Sequence, residues 1–359
     1  MGEHSAIEWT DATWTPIRAR FETLNGDEAG EPRIGWHCEH TSEGCRFCYA
    51  ETMNRRLGTL LPFKPGHRKD VDLFLDEKML FAPLRWKRPR RIFVCSMTDL
   101  FADFVKDEWI DRMFAVMALC PQHVFQMLTK RPKRMRAWFE RYDAAHDHNC
   151  ADMVADSLRS MLDREYQDVA AHRLHYWPLP NVWLGTSVED QAAADARIPH
   201  LLPTPAAVRF LSCEPLLGPV DLSKIVLKEA PAGCSDQDAW AVEPLTGRIA
   251  PIIRIGPGEW ELDGGGQRRG KIDWVIAGGE SGKNARPSNP QWFRDLRDQC
   301  ATADVPYFFK QWGEWVSVSE VEGPQTAFHV LDDHRTVRRV GKKKAGRLLD
   351  GVLHDGMPA

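Results

Sequence analysis

Three cysteines fall within eleven residues of this 359-residue chain: Cys38, Cys45 and Cys48, in the stretch Gly35-Trp-His-Cys-Glu-His-Thr-Ser-Glu-Gly-Cys-Arg-Phe-Cys-Tyr49. The spacing is C-x6-C-x2-C, with Phe47 directly before the last cysteine. Thiolates hold [4Fe–4S] clusters, usually four to a cluster. Three local thiolates leave one iron open to a substrate or cofactor, which suits catalysis better than plain electron transfer. Structural zinc is the competing reading, but it closes with four ligands, commonly as two paired knuckles. Here a single C-x2-C is accompanied by His37 and His40 as candidate helpers. A loop that binds no metal is the third reading. Nine cysteines, an odd number, and a start lacking a basic segment followed by an apolar one argue against a disulfide. Cys95, Cys120, Cys150, Cys213, Cys234 and Cys300 are scattered and read as small core residues.

The elements that must position these residues show in the hydrophobic pattern. Short apolar runs recur, each ending in polar residues: Arg91–Ser96 before Met97-Thr-Asp99, His123–Leu128 before Thr129-Lys-Arg131, and Asn181–Gly185 before Thr186-Ser-Val-Glu189. The series continues with Val208–Ser212 before Cys213-Glu-Pro215, Asp273–Ala277 before Gly278-Gly-Glu-Ser281, and Pro306–Phe309 before Lys310-Gln-Trp312. Helical periodicity separates most of them, over Glu108–Leu119, Asp190–Leu202 and Pro290–Thr302. Thr204-Pro205 and Asn289-Pro290 mark helix boundaries. Alternating strands and helices predict an α/β fold with parallel strands. Six strands, plus one near Ile34 feeding the cysteine loop, predict a partial or near-complete (β/α) TIM-type barrel. In that architecture the polar tails lie at the catalytic end. A doubly wound sheet would need a glycine-rich phosphate loop after its first strand, and no G-x-G-x-x-G occurs there.

Two insertions interrupt the pattern, at about 140–177 and 226–270. The first carries His146, His148, His172 and His175, which read as exposed residues rather than as a metal set. The second is rich in Pro and Gly, including Gly264-Gly-Gly266, and reads as a long loop or small hairpin. The net charge of −4 excludes a global polycation. Local basic runs remain at Arg85–Arg91, Lys130–Arg136 and Arg335–Arg347, and fourteen tryptophans offer both core packing and stacking surface. No stretch approaches the roughly 20 apolar residues of a membrane span. The chain is expected to be cytoplasmic, where thiols stay reduced.

The triplet followed by Tyr49-Ala-Glu51, together with this strand series, resembles the radical S-adenosylmethionine superfamily. More closely, the chain resembles the phage Gp37/Gp68 family. That resemblance runs through Ile7–Trp14, the cysteine loop, Ser96–Phe101, Leu128–Pro132, Gly185–Glu189, Ser212–Leu216, Gly278–Ser281, Lys310–Gly313 and Gly341–Gly351. The superfamily resemblance implies a partial barrel with the cysteine loop after the first strand, over 1–316, followed by a basic extension at 317–359. It implies a [4Fe–4S] cluster on Cys38, Cys45 and Cys48, with S-adenosylmethionine on the fourth iron. Reductive cleavage there yields a 5′-deoxyadenosyl radical. The superfamily spacing is C-x3-C-x2-C, whereas the first gap here is six residues; longer gaps also hold clusters within the superfamily.

The resemblance assigns further roles. Phe47 takes the place of the aromatic beside the cofactor. Ser96, Thr98 and Asp99 stand where the methionine amino group is bound, and Thr186, Ser187 and Glu189 where ribose and carboxylate are held. Gly278 and Gly279 would admit adenine or substrate closely. Lys130, Arg131, Glu214 and Glu280 are candidates for substrate binding, the cations being suited to phosphate or carboxylate. Lys310 and Cys213 are the catalytic candidates, Cys213 as a hydrogen-atom donor or simply a buried thiol.

The leading expectation is therefore a radical S-adenosylmethionine enzyme acting on a nucleic acid or nucleotide, by modification or repair. It would be served by an electron donor such as flavodoxin or ferredoxin, with a separate partner protein also conceivable and no membrane involved. A non-catalytic zinc or iron–sulfur module for nucleic-acid binding or assembly is the second reading. A metal-independent hydrolase using Glu189, Glu214 or Glu280 is the third.

Overall fold

A computed structural model describes residues 4–22, 31–144, 147–161, 176–227, 240–256, 259–262, 267–268, 270–322 and 327–359. Seven strands form its main sheet: β1 (Ala12–Trp14), β2 (Arg91–Val94), β3 (Val124–Thr129), β4 (Val182–Ser187), β5 (Val208–Cys213), β6 (Trp274–Gly278) and β7 (Tyr307–Gln311). They lie side by side in chain order. The pairs β1–β2, β2–β3, β5–β6 and β6–β7 are parallel, in registers such as Ile92↔Phe125 and Val275↔Tyr307. A strand order that never reverses is the singly wound order of a barrel; a doubly wound sheet has a switch point where the order turns back. The chain is thus an α/β protein with a partial TIM-like barrel topology.

The chain divides into two compact units, Met1–Leu184 with Pro205–Ala207, and Gly185–Thr204 with Val208–Ala359. In the first, the helix Asp107–Leu119 buries Trp109, Ile110, Met113, Phe114 and the Ala115–Ala118 run. Apolar residues on nearly every side mark a helix enclosed by its neighbours, and Asp107 and Glu108 in its first turn complement the helix dipole. Phe114 packs on Trp138, ring centroids 4.5 Å apart. In the second unit, the helix Pro290–Thr302 starts where Asn289 accepts a hydrogen bond from Gln291 N, with proline at its first position. Its Phe293 packs on Phe309 and Trp312.

The strand near Ile34 is a correction. Arg33–Gly35 pairs antiparallel with Ile17–Phe21, which also pairs with Asp72–Leu75, in a separate three-stranded sheet. The first parallel strand is β1, three residues long, with Ala12 and Trp14 fully buried. Three residues are too few for alternation to stand out in a sequence. The cysteine loop still lies in the connection after the first parallel strand.

Within the 226–270 region, Ile225–Leu227, Trp240–Glu243, Arg248–Gly256, Glu259–Leu262 and Gln267–Arg268 build an antiparallel sheet rather than a lone hairpin. In the other insertion the described part contains the helix Cys150–Met161, and His148 Nδ1 lies 3.1 Å from Asp156 Oδ2. His146, His172, His175, Cys234 and Gly264–Gly266 lie outside the described residues. The C-terminal segment lines the edge of β7: Phe309 N donates to His354 O, and Gly356 N to Tyr307 O. An otherwise open sheet edge is thereby paired. Among the described residues, no helix is long and apolar enough to cross a membrane.

Candidate functional site

Gly35 and Trp36 lead into the cysteine loop, and the helix α1 (Tyr49–Leu57) leads out of it. Both ends are tied by Asn54, a fully buried residue of α1. Its Oδ1 accepts from Trp36 N at 2.9 Å and Thr59 N at 3.2 Å, while Nδ2 donates to Thr59 Oγ1 and Leu61 O. Gly35 is required at the crossing, because a Cβ there would stand 2.4 Å from Thr59 N. Between these ties, a short 3-10 turn over Glu43–Cys45 and a bond from Cys48 N to Cys45 O set the second and third cysteines.

The loop is braced from the tails of β2 and β3. Thr98 Oγ1 donates to His37 O at 2.6 Å. Asp99 accepts from Phe101 N, Thr129 Oγ1, Lys130 N and Arg131 Nη1, at 2.7 to 3.0 Å. Arg131 Nη2 then reaches Glu39 O at 3.1 Å, next to Cys38. Tyr49 OH donates to Ser96 O at 2.6 Å, joining the start of α1 to the same tail. The structure therefore brings Ser96, Thr98, Asp99 and Arg131 to the cysteine loop, while Lys130 contributes its backbone N–H to Asp99. Asp99 spends its four acceptor positions on the protein itself, as a brace. Phe47 is half-buried beneath the Arg46 guanidinium, 5.5 Å from its ring.

Cys38, Cys45 and Cys48 are all free thiols. Burial pushes Cys38 up to about 12, with Asp99, Cys48 and Cys45 adding to the rise and the Arg131 cation opposing it. Burial also raises Cys48, opposed by backbone N–H groups of Glu51 and Ala50 in the first turn of α1. His37 is buried, and its ring lies 3.4 Å from Glu39 Oε1; His40 Nε2 lies 2.7 Å from Glu51 Oε2. Both histidines turn to carboxylates. Among the described residues, no group of three or more His, Cys, Asp or Glu side chains is placed to hold a metal ion. The loop's own donors are three free thiols, and its two histidines are engaged by carboxylates.

The second unit holds the other candidates in separate groups. Thr186, Ser187 and Glu189 are buried, and Arg197 Nη1 donates to both Ser187 O and Glu189 Oε2, at 2.8 and 2.7 Å. Glu280 takes three hydrogen bonds from Arg286, one from its backbone N and two from its guanidinium. Glu214 accepts from Lys310 Nζ at 2.8 Å and from Gln311 Nε2 at 3.2 Å. Gln311 Nε2 also donates to Ser281 Oγ. Gly278 packs beside the Glu214 carboxyl, and a Cβ on Gly279 would stand 1.9 Å from Trp312 O. The close approach that Gly279 permits is to its own backbone. Cys213 is wholly buried, and burial near Cys300 and Glu189 raises its thiol far above the ordinary range.

The sequence reading missed Asn54, Arg197, Arg286 and Gln311. Each acts through partners distant along the fold or through a loop conformation, and none sits in a recognisable spacing. The basic run Lys130–Arg136 is largely consumed internally: Arg131 pairs with Asp99, Arg134 with Asp107 and Arg136 with Glu140. Arg85, Lys87, Arg88 and Lys342–Lys344 are exposed.

Residues 4–358 match the model of a family described as Protein of unknown function (DUF5131), and the chain belongs to that family, the phage Gp37/Gp68 family. Comparison with curated proteins and with solved structures finds no match.

Proposed function

We propose that this protein is a radical S-adenosylmethionine enzyme whose Cys38, Cys45 and Cys48 hold a [4Fe–4S] cluster. The observation that carries the reading is the set of three free thiols on one loop, braced through Asp99, Arg131 and Thr98. When bound, such a cluster supplies one electron to the sulfonium of S-adenosylmethionine, releasing methionine and a 5′-deoxyadenosyl radical. The chain's own residues prepare the loop for it. Arg131 places a cation close enough to Cys38 to favour its ionised form, and the first N–H groups of α1 do the same for Cys48. Asp99 keeps Arg131 in place, and Asn54 fixes where the loop begins and ends.

Phe47 within this loop and Ser96 and Thr98 beside it are the nearest candidates for cofactor contact. The substrate in this reading is a nucleic acid or nucleotide. Support comes from the exposed cations at Arg85, Lys87 and Arg88 and at Lys342–Lys344.

The test is 5′-deoxyadenosine formation by anaerobically reconstituted protein with dithionite and S-adenosylmethionine, beside Cys45→Ala. Cysteine-dependent product is expected. One zinc and no iron in anaerobically purified protein would overturn the reading in favour of a structural metal module. A gel-shift series against salt tests the substrate class, and salt-insensitive or absent binding of DNA and RNA would remove it.

A further inference from the structure

Helix α1 turns an apolar stripe outward. Tyr49, Met53 and Leu57, spaced i, i+4 and i+8, are 53%, 43% and 63% exposed, and Leu60 just beyond is 43% exposed. Residues at that spacing share a helix face. The opposite face, with Ala50 and Asn54, is buried. Arg46, Arg55 and Arg56 flank the stripe, and exposed Lys64, Arg68 and Lys69 extend the same charge. The exposed anions between residues 41 and 70 are Glu43 and Asp70. Arg46 and Arg55 pair with Glu43 and Glu51, so the cations outnumber the anions around the stripe without being of one sign. Contiguous apolar side chains with a predominantly cationic rim mark an interaction surface.

We infer that this face docks a small acidic redox protein that delivers electrons to the cysteine loop. The inference rests on the iron–sulfur reading above. Charge complementarity selects an acidic partner. The stripe selects a protein over a nucleic acid: Tyr49 alone offers a ring, with its hydroxyl tied to Ser96 O, while Met53, Leu57 and Leu60 have no π-face on which a base could stack but suit an apolar groove. Position selects a redox role, since α1 opens at Cys48 and Tyr49 starts the stripe. Electron transfer slows steeply with distance, so a donor seated on α1 lies at the end of the molecule where the sulfurs are.

FMN-loaded flavodoxin is the probe. Its binding to the reconstituted protein is measured by calorimetry at low and at moderate salt, for the native chain, Met53→Glu/Leu57→Glu and Arg56→Glu. 5′-Deoxyadenosine formation is followed in parallel, driven either by reduced flavodoxin or by dithionite. The expected result is salt-sensitive binding that weakens about tenfold or more in the double variant. Flavodoxin-driven turnover is lost there, while dithionite-driven turnover is retained. Native protein that fails to bind flavodoxin, or variants that bind it equally well, would overturn the proposal. So would an oligonucleotide whose binding to this face the same substitutions abolish. Variant-sensitive flavodoxin binding by a protein that makes no product with dithionite would keep the docking surface and remove the radical reading instead.

Discussion

In the first unit one carboxylate, Asp99, gathers four donors from two segments and so steadies a loop whose three thiols carry no covalent partner. In the second, Glu189, Glu214 and Glu280 each answer a cation of their own: Arg197, Lys310 and Arg286. Charge is used as scaffolding in both. Burial raises thiols in both units, Cys38 and Cys48 in the first and Cys213 and Cys300 in the second; what sets the loop apart is three cysteines within eleven residues. An acid–base mechanism on Glu189 or Glu280 would first have to release a buried carboxylate from arginine, which is costly.

The sharpest way to break this comparison is to remove one brace from each unit. Asp99→Ala strands the Arg131 guanidinium, which is 14% exposed. Loss of one partner of such a pair is expected to cost about 3–5 kcal/mol in urea unfolding. Iron content after reconstitution should fall with it. Glu280→Ala removes three hydrogen bonds from Arg286 and is expected to cost about 2–3 kcal/mol, but with iron content unchanged. Iron lost equally in both variants would mean that the two units are not distinct in this respect.

Asn54→Ala sharpens the same point within the first unit. It leaves Trp36 N and Thr59 N without their acceptor and is expected to cost about 2 kcal/mol, read as a lower urea midpoint. Its effect on iron should exceed that of an equally destabilising change elsewhere, because both ends of the cysteine loop hang on this side chain. Reconstitution yield compared with Glu280→Ala at matched stability decides it.

Much of this was legible beforehand, and the exceptions share a cause. The six strands β2–β7 and the helices Asp107–Leu119, Gln191–Leu201 and Pro290–Thr302 follow from periodicity, because each is long enough to show a buried face; the helix Cys150–Met161, inside an insertion, was not read that way. β1 is not long enough, and its three residues are recognisable only through the neighbour that Ala12 and Trp14 pack against. The cysteine triplet was legible because chemistry needs those residues close in sequence. Asp99 and Arg131 were legible as polar strand ends, but not as partners, since 32 positions separate them. Asn54 and Gln311 gave no signal: a buried amide is defined by the acceptors and donors around it, which only the fold brings near.

The smallest expected effect concerns an exposed counterpart of these buried pairs. Asp350 joins the C-terminal hairpin to the helix Pro290–Thr302 through Arg294 and Arg297. The side-chain hydrogen bond from Arg294, followed by that from Arg297, lowers its carboxyl from the ordinary 3.8 to about 2. A carboxyl with a depressed folded value adds stability that is complete above the unfolded pKa and disappears as pH falls through the folded one. The contribution should therefore be intact at pH 5, decline between pH 4 and 2, and be absent below that. Solvent screens this largely exposed group, so its size is expected to stay under about 1 kcal/mol. Urea midpoints of the native chain and Asp350→Asn, measured from pH 5 to 2, should differ by a constant amount down to pH 4 and then converge. A gap that persists at pH 2 would show that Asp350 acts through packing rather than charge. The first unit supplies the matching case, Asp11 lowered by its hydrogen bond from Arg91. Acid should thus erode the exposed pairs of both units in the same direction, which leaves the response to iron as the property that separates them.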